Sequence, residues 1–286
     1  MLRESDQPLT AAPPRPPRRD DPDALFEEAR QHRRERRLRL ALILALLVVA
    51  GSGVYAAFSG GSSSSAAGNP SRLPIATSAN PTVVLLVDVS GSMRARDIKP
   101  SRIAAVRSAM RTFVARLPKS SKVGVIAFSS DAQVYAAPTL DRKVVSDALG
   151  RLTPEAGTAL GDGLGAAVTL AVGSLDTDGI HHSPGHFLPA LIVLASDGAQ
   201  NRGALTPAQA AKLAKAAGIR VDGIALGTPG GNVTYGYGLY HQAIPVPPDP
   251  KTVESIAKLT GGQAFVALDA GRLDAVYGEL GSKIGH

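Results

Sequence analysis

The chain has 286 residues, 44% of them hydrophobic, so it is long enough for one large or two small domains with a sizeable core. It contains no cysteine, which excludes disulfide bonds, thiolate metal sites and a cysteine nucleophile. The net charge of +7 is compatible with nucleic acid, an anionic membrane or an acidic protein as partner, so the position of the charge has to decide between them.

Residues 1–39 have the composition of a disordered basic tail. Four prolines between positions 13 and 17 interrupt any helix, and charges of both signs surround them. Six arginines and one acid then occupy positions 30–39, directly before an apolar stretch. No comparable basic run follows. We therefore assign this run to a membrane segment and expect no nucleic-acid partner.

Residues 40–58 predict a transmembrane helix. These 19 residues carry no charge, and at about 1.5 Å each they would span roughly 28 Å, close to the thickness of a bilayer's hydrocarbon core. The arginines before the segment place the N-terminus in the cytoplasm and the rest of a single-pass protein outside the cell membrane. The alternative is a cleaved signal peptide, since Val54 and Ala56 fit a small-residue cleavage pattern, although the 39 residues before the apolar stretch are too long for the n-region of a typical signal.

Residues 59–80 form a Gly/Ser linker with prolines, and residues 81–286 then alternate between strand and helix patterns. The first strand is a continuous apolar run, typical of a strand buried on both faces. Strands are predicted at 83–88, 123–128, 133–137, 188–195, 221–226 and 263–268, and helices at 100–117, 141–152, 160–175, 207–217, 249–260 and 272–283. This alternation predicts an α/β domain with a doubly wound, mostly parallel sheet flanked by helices, preceded by one N-terminal transmembrane helix.

The first predicted strand ends in a loop rich in side-chain oxygens. Asp88, Ser90 and Ser92 alternate over five residues, and Gly91 gives the turn its freedom. In an open parallel sheet, ligands bind at the carboxyl ends of the strands, near the point where the strand order reverses. Hydroxyl and carboxylate oxygens are hard ligands, so the loop is suited to Mg²⁺ or Mn²⁺.

This pattern, followed by alternating strands and helices, resembles the von Willebrand factor A (VWA) family, in which it forms the first part of a metal-ion-dependent adhesion site (MIDAS). The family also has a Thr in a later loop and an Asp after a later strand. The resemblance implies that Thr158 and Asp197 are these two residues and complete the site. Ser90, Ser92 and Thr158 would then offer hydroxyls to the metal, and Asp88 and Asp197 would act directly or through water. An open coordination position would bind an Asp or Glu of another protein.

The C-terminal part of the chain is similar to bacterial membrane-bound VWA proteins encoded beside MoxR-type ATPases, the BatA-like group. The similar segments are 244–249, 259–262 and 273–280. The resemblance implies a place in a membrane complex linked to such an ATPase. Many members of that group have a second membrane helix after the domain, a feature that residues 81–286 lack.

The expected function is binding and not catalysis. Ser90 lacks the preceding glycine of a nucleophile elbow, and Asp88 is followed by Val-Ser and not by a second acid, as a phosphoryl-transfer site would need. A structural scaffold domain with a vestigial metal site stays open as an alternative. The segment 228–248, rich in Gly, Tyr and Pro, either borders the partner surface through residues such as Tyr235 or folds on itself as a hairpin.

Overall fold

The computed structural model describes residues 81–180, 187–198, 200–237 and 240–284. The predicted tail, transmembrane helix and linker at 1–80 lie outside the described residues. Within the part of the chain that is described, no helix combines the length and the apolar character needed to cross a bilayer.

The strands of the described residues form one six-stranded sheet and one two-stranded hairpin. In chain order they are β1 (Thr82–Asp88), β2 (Lys122–Phe128), β3 (Ala132–Thr139), β4 (Ala190–Ser196), β5 (Arg220–Leu226), β6 (Asn232–Tyr237), β7 (Tyr240–Pro245) and β8 (Ala264–Ala267). The order in the six-stranded sheet is β3-β2-β1-β4-β5-β8, and within that sheet β3 alone runs antiparallel to its neighbour. The predicted mostly parallel sheet is therefore confirmed.

Six α-helices are described, and they cover the two faces of the sheet. They are α1 (Arg102–Arg116), α2 (Arg142–Gly150), α3 (Leu160–Thr177), α4 (Pro207–Ala216), α5 (Pro250–Thr260) and α6 (Ala270–Ile284). Alternate residues of a strand point to opposite faces, so β1 contributes Val83, Leu85 and Val87 to the core beneath α1, α2 and α6. Val84 and Leu86 of β1 pack on the other side with α3, α4 and α5. The doubly wound architecture is confirmed.

The chain leaves β1 and β4, the two central strands, toward opposite faces. After β1 it continues to α1 on one face, and after β4 it continues to α4 on the other. The carboxyl ends of β1 and β4 therefore flank the point where the winding reverses, which is where open parallel sheets hold their ligands. Asp88 ends β1, and Asp197 directly follows β4.

The segment after β5 folds as an antiparallel hairpin, one of the two predicted alternatives. Strands β6 and β7 pair from Asn232↔Pro245 to Tyr237↔Tyr240. At the base of the hairpin, the Val246 amide donates to the Gly231 carbonyl at 2.8 Å. The hairpin leaves the sheet at the same edge as the ends of β1 and β4, because β5 is parallel to both.

Candidate metal centre

Asp88 is fully buried at the end of β1, and its two carboxylate oxygens have different partners. One oxygen, Oδ1, accepts the Ser90 amide at 2.7 Å, which closes the loop after the strand. The other, Oδ2, accepts the Ser196 hydroxyl at 2.6 Å, and Ser196 lies at the end of β4. The Asp88 carboxylate therefore joins the loops that follow the two central strands.

The two serines of the loop present their hydroxyls side by side. The Oγ atoms of Ser90 and Ser92 lie 2.8 Å apart and share a hydrogen bond. Ser90 is buried and Ser92 half-buried, and a short 3-10 turn, Gly91–Arg94, holds them in this arrangement. Adjacent hydroxyl oxygens at this distance could bind neighbouring positions of one small hard cation.

Asp197 follows β4 and is buried close to Asp88. Burial and, second to it, the negative charge of Asp197 together raise the pKa of Asp88 to about 7. Hydrogen bonds from Ser196 and Ser90 oppose it. Two carboxylates that interact in this way concentrate negative charge beside the serine hydroxyls, where a cation would relieve their repulsion.

Thr158 lies on a third segment, which is attached to both of the other loops. Its carbonyl accepts the amides of Asn201 and Arg202, both at 3.1 Å, and its own amide donates to the Asn201 side chain at 3.0 Å. Three residues earlier, the Glu155 amide donates to the Val89 carbonyl at 2.6 Å. The threonine is buried directly before α3, so its segment is held against the loop of Ser90 and the loop after β4.

Arg102, at the start of α1, is a residue of this region that the sequence pattern did not reveal. Its side chain is fully buried, and its Nη1 donates to Asp197 Oδ2 at 3.3 Å. The same guanidinium binds both carboxylate oxygens of Asp97 at 2.9 and 2.7 Å. Asp97 and Arg102 lie five residues apart, a spacing that does not by itself distinguish a buried pair from two solvated charges. Ser196 was also missed, because a serine at a strand end has no distinctive pattern.

The polar groups at this edge of the sheet are of the kind that coordinates a metal ion through hydroxyl and carboxylate oxygens. Among the residues that the structure describes, no three His, Asp or Glu side chains gather as a metal-binding group. The candidate oxygen donors are instead the hydroxyls of Ser90, Ser92 and Thr158 and the carboxylates of Asp88 and Asp197, on three segments that hydrogen bonds join. Such a donor set fits a hard divalent cation such as Mg²⁺ or Mn²⁺ and does not fit a soft one.

Comparison with known proteins identifies the domain. Residues 83–199 match the sequence profile of the von Willebrand factor type A domain. The chain carries a VWA domain. Domains of this type indicate a protein–protein interaction module, and the matched range contains Asp88, Ser90, Ser92, Thr158 and Asp197.

The VWA domain has curated relatives in mycobacteria. The chain is 37% identical over 214 residues to a UPF0353 protein of Mycolicibacterium paratuberculosis, a match that covers 71% of this chain and 60% of the relative. It is 36% identical over 212 residues to the UPF0353 protein MAV335 of Mycobacterium avium, covering 71% and 61%. The chain thus spans about three fifths of the length of these relatives.

Solved structures share the fold. The protein BatB from Bacteroides thetaiotaomicron is 23% identical, with a TM-score of 0.58 and coverage of 71% of this chain and 98% of that one. An aerotolerance-related membrane protein from Bacteroides fragilis is also 23% identical, with a TM-score of 0.59 and the same coverage. In both cases the matched region makes up almost the whole of the solved chain.

Proposed function

We propose that the chain is a membrane-anchored interaction module that binds a carboxylate of a partner protein through a divalent cation, Mg²⁺ or Mn²⁺. Ser90, Ser92 and Thr158 would supply hydroxyl ligands, and Asp88 and Asp197 would act directly or through water. The observation that carries the proposal is the pair of serine hydroxyls, 2.8 Å apart, beside two interacting buried carboxylates at the reversal point of the sheet.

The three neutral hydroxyl ligands of the proposed site favour an external anion as a further ligand. A divalent cation would face two carboxylates, and one of them already shares its charge with the guanidinium of Arg102. The three hydroxyls are neutral, so the negative charge at the cation comes from Asp88 and Asp197 alone, and Asp197 shares its charge with Arg102. A coordination position that remains open would then attract an Asp or Glu from another protein. This is a binding function, and none of its steps is a chemical reaction.

A cation titration tests the proposal. Calorimetry should detect one Mg²⁺ or Mn²⁺ per wild-type chain, and the double variant Ser90→Ala/Ser92→Ala should lose this binding while keeping the same circular dichroism. The matched control is Ser108→Ala/Ser146→Ala, which removes two hydroxyls from α1 and α2 and should bind as wild type does. Wild-type protein that binds no divalent cation would rule the proposal out.

We place the module at the cell membrane, with the VWA domain on the extracytoplasmic side. The support is the uncharged stretch 40–58 behind its arginines and the description of the Bacteroides fragilis structure as a membrane protein. The resemblance to the BatA-like group extends the proposal to a complex linked to a MoxR-type ATPase. Co-purification of the full chain with such an ATPase, dependent on Mg²⁺ and lost on chelation, tests this extension.

One observation favours a second candidate, a scaffold domain with a vestigial metal site. Arg102 already places a permanent positive charge against Asp197, and a guanidinium there could replace a cation electrostatically. The two candidates differ in the titration described above, because a scaffold would bind no Mg²⁺ or Mn²⁺.

A further inference from the structure

We infer that the β6–β7 hairpin is a second part of the partner-binding surface, and that it holds an apolar side chain next to the carboxylate that the cation binds. The occupant is an extended segment of another protein in which an Asp or Glu has an apolar neighbour. This inference rests on the proposed function, because the cation is what fixes the carboxylate end of the segment.

The first observation is the position of the hairpin beside the loop of the serines. A Cβ built on Gly91, between Ser90 and Ser92, would lie 3.0 Å from the Tyr235 hydroxyl and 3.7 Å from the Glu155 carbonyl. The hairpin therefore reaches one side of the loop, and the Thr158-bearing segment reaches another. A larger residue than glycine at position 91 would push the two apart.

The second observation is the apolar character of one hairpin face. Val233 lies opposite Ile244, and Tyr235 follows Val233 by two residues, so the three side chains share a face. Val233 is 5% exposed, whereas Tyr235 and Ile244 remain 42% and 41% exposed. Because Tyr235 reaches Gly91, this face is directed toward the serine loop and leaves apolar surface open beside it.

The third observation is that Arg102 connects the base of the hairpin to the candidate metal centre. Its Nη2 donates to the Val246 carbonyl at 3.0 Å, while its Nη1 binds Asp197. Asp97, the partner of Arg102, accepts the Thr228 amide at 2.8 Å. The buried Arg102 guanidinium thus holds a candidate metal ligand and one side of the hairpin base, and its partner Asp97 holds the other side, so the apolar face keeps a defined position relative to the cation.

The charged side chains near the Thr158-bearing segment indicate which charge the partner segment should carry. Arg94 is exposed and donates to the Pro154 carbonyl at 2.9 Å, and the exposed Arg202 has its side chain against Gly157. Glu155 is the acid beside them, and it accepts a hydrogen bond from the Ser129 hydroxyl. Because Asp88 and Asp197 offset the charge of the cation, the positive excess comes from the two guanidiniums against Glu155, and it favours an acidic segment over a basic one.

Three labelled heptapeptides serve as probes in a fluorescence-anisotropy titration of the full chain in Mg²⁺. The first has one Asp between two Leu, the second has the same Asp between two Ser, and the third has Asn between two Leu. We expect wild type to bind the Leu-Asp-Leu peptide about tenfold more tightly than the Ser-Asp-Ser peptide, and to bind the Asn peptide at least tenfold more weakly than Leu-Asp-Leu. Burial of part of a leucine side chain is sufficient for a difference of about this size.

The hairpin variant Tyr235→Ser/Ile244→Ser should lose the preference for the Leu-Asp-Leu peptide and keep wild-type affinity for Mg²⁺ and for the Ser-Asp-Ser peptide. The matched control is Val266→Ser/Leu268→Ser, which changes two apolar side chains that are 45% and 51% exposed at and just beyond β8. It should behave as wild type.

Three results would overturn the inference: no preference for leucine in wild type, an unchanged preference in the hairpin variant, or an equal loss in the control. Absence of binding to any peptide by a chain that still binds Mg²⁺ would also overturn it, while leaving the cation site intact. Failure to bind Mg²⁺ at all would instead contradict the proposed function, so the two failures are distinguishable.

Discussion

Arg102 is the residue on which the local electrostatics of the candidate site depend. Its buried guanidinium offsets the charges of Asp97 and Asp197, and it also donates to the Val246 carbonyl. A buried charge is tolerated only while its partners are present, because water cannot reach the buried group to solvate it in their place. The contribution of Arg102 is therefore best measured by replacing it and determining how far the unpaired carboxylates lower the free energy of unfolding.

Arg102→Met should lower the free energy of unfolding by about 3–5 kcal/mol, because it leaves two carboxylates without the guanidinium that they share. Arg107→Met is the control on the same helix. Arg107 is half-buried and donates only to the carbonyls of Gly150 and Leu152, at 3.4 and 3.3 Å, so its loss should cost less than about 1.5 kcal/mol. Urea unfolding followed by circular dichroism measures both, and equal losses would contradict this account of Arg102.

The ion pair of Asp97 should make the stability of the domain depend on pH. Burial raises the pKa of its carboxyl, but the bonds from Arg102 and Thr228 outweigh burial and lower it to about 2, below the usual 3.8. The stabilisation from a lowered carboxyl pKa is complete above the usual value and is lost as the pH falls toward the folded one. Asp97→Asn should thus be less stable than wild type at pH 6, with a difference that shrinks between pH 4 and pH 2.

Urea unfolding at a series of pH values measures the Asp97 effect. Asp147→Asn is the control, because Asp147 is exposed and its pair with Lys143 is screened by solvent. A stability difference between Asp97→Asn and wild type that is independent of pH would show that Asp97 acts through its shape and hydrogen bonds and not through its charge.

At the scale of elements, the backbone of the loop after β4 is as constrained as its side chains. Gly198 follows Asp197 with φ of +84°, a conformation that other residues rarely adopt, and a Cβ there would collide with the Asp249 carbonyl. The Asp249 amide donates to the Asp197 carbonyl at 2.6 Å, so the start of α5 is fitted closely against this loop. The loop's conformation therefore sets where the Asp197 carboxylate lies.

Gly198→Ala should destabilise the domain by more than about 1 kcal/mol and weaken cation binding, because the loop must move away from Asp249. Gly173→Ala is the opposite case. Gly173 is exposed in the middle of α3 with no atom near an added Cβ, so alanine should stabilise the domain by about 0.5–1 kcal/mol. Thermal unfolding of the two variants measures the contrast, and a stable Gly198→Ala variant would contradict it.

Much of the element order could be predicted from the sequence, for physical reasons that particular segments illustrate. The strand β1 is apolar on both faces, and the capping box of Thr206 and Gln209 marks the start of α4. The pairing of β6 with β7 was less clear, since the segment rich in Gly, Tyr and Pro also fitted a border of the partner surface. Strand β3 extends to Ala132–Thr139, beyond the predicted 133–137, because pairing with β2 continues past the apolar centre.

Some residues of the candidate site could also be predicted from the sequence, and others could not. Asp88, Ser90 and Ser92 are close in the chain, so their proximity follows from local geometry. Thr158 and Asp197 were named through a resemblance, and the hydrogen bonds of Glu155 and Ser196 are what attach their segments to the β1 loop. Arg102 could not be inferred, because its contact with Asp197 joins residues 95 positions apart.

At the scale of the whole molecule, the proposal requires that the VWA domain be attached to the membrane. We predict that the full chain fractionates with membranes, resists extraction by high salt, and has an intact N-terminus in mass spectrometry. The deletion of residues 40–58 should release it, because this uncharged stretch is the proposed anchor. A mature chain that begins near residue 57 would instead indicate a cleaved signal peptide.

In the proposed function, side chains from three separate segments bind one hard cation that can also accept an outside carboxylate. Crystals of the protein grown with MnCl₂ test it most directly, through anomalous scattering from the metal. We expect one anomalous peak per chain, in direct contact with the hydroxyls of Ser90 and Ser92 and close to Thr158 and Asp197. No peak, or a peak bound elsewhere, would contradict it.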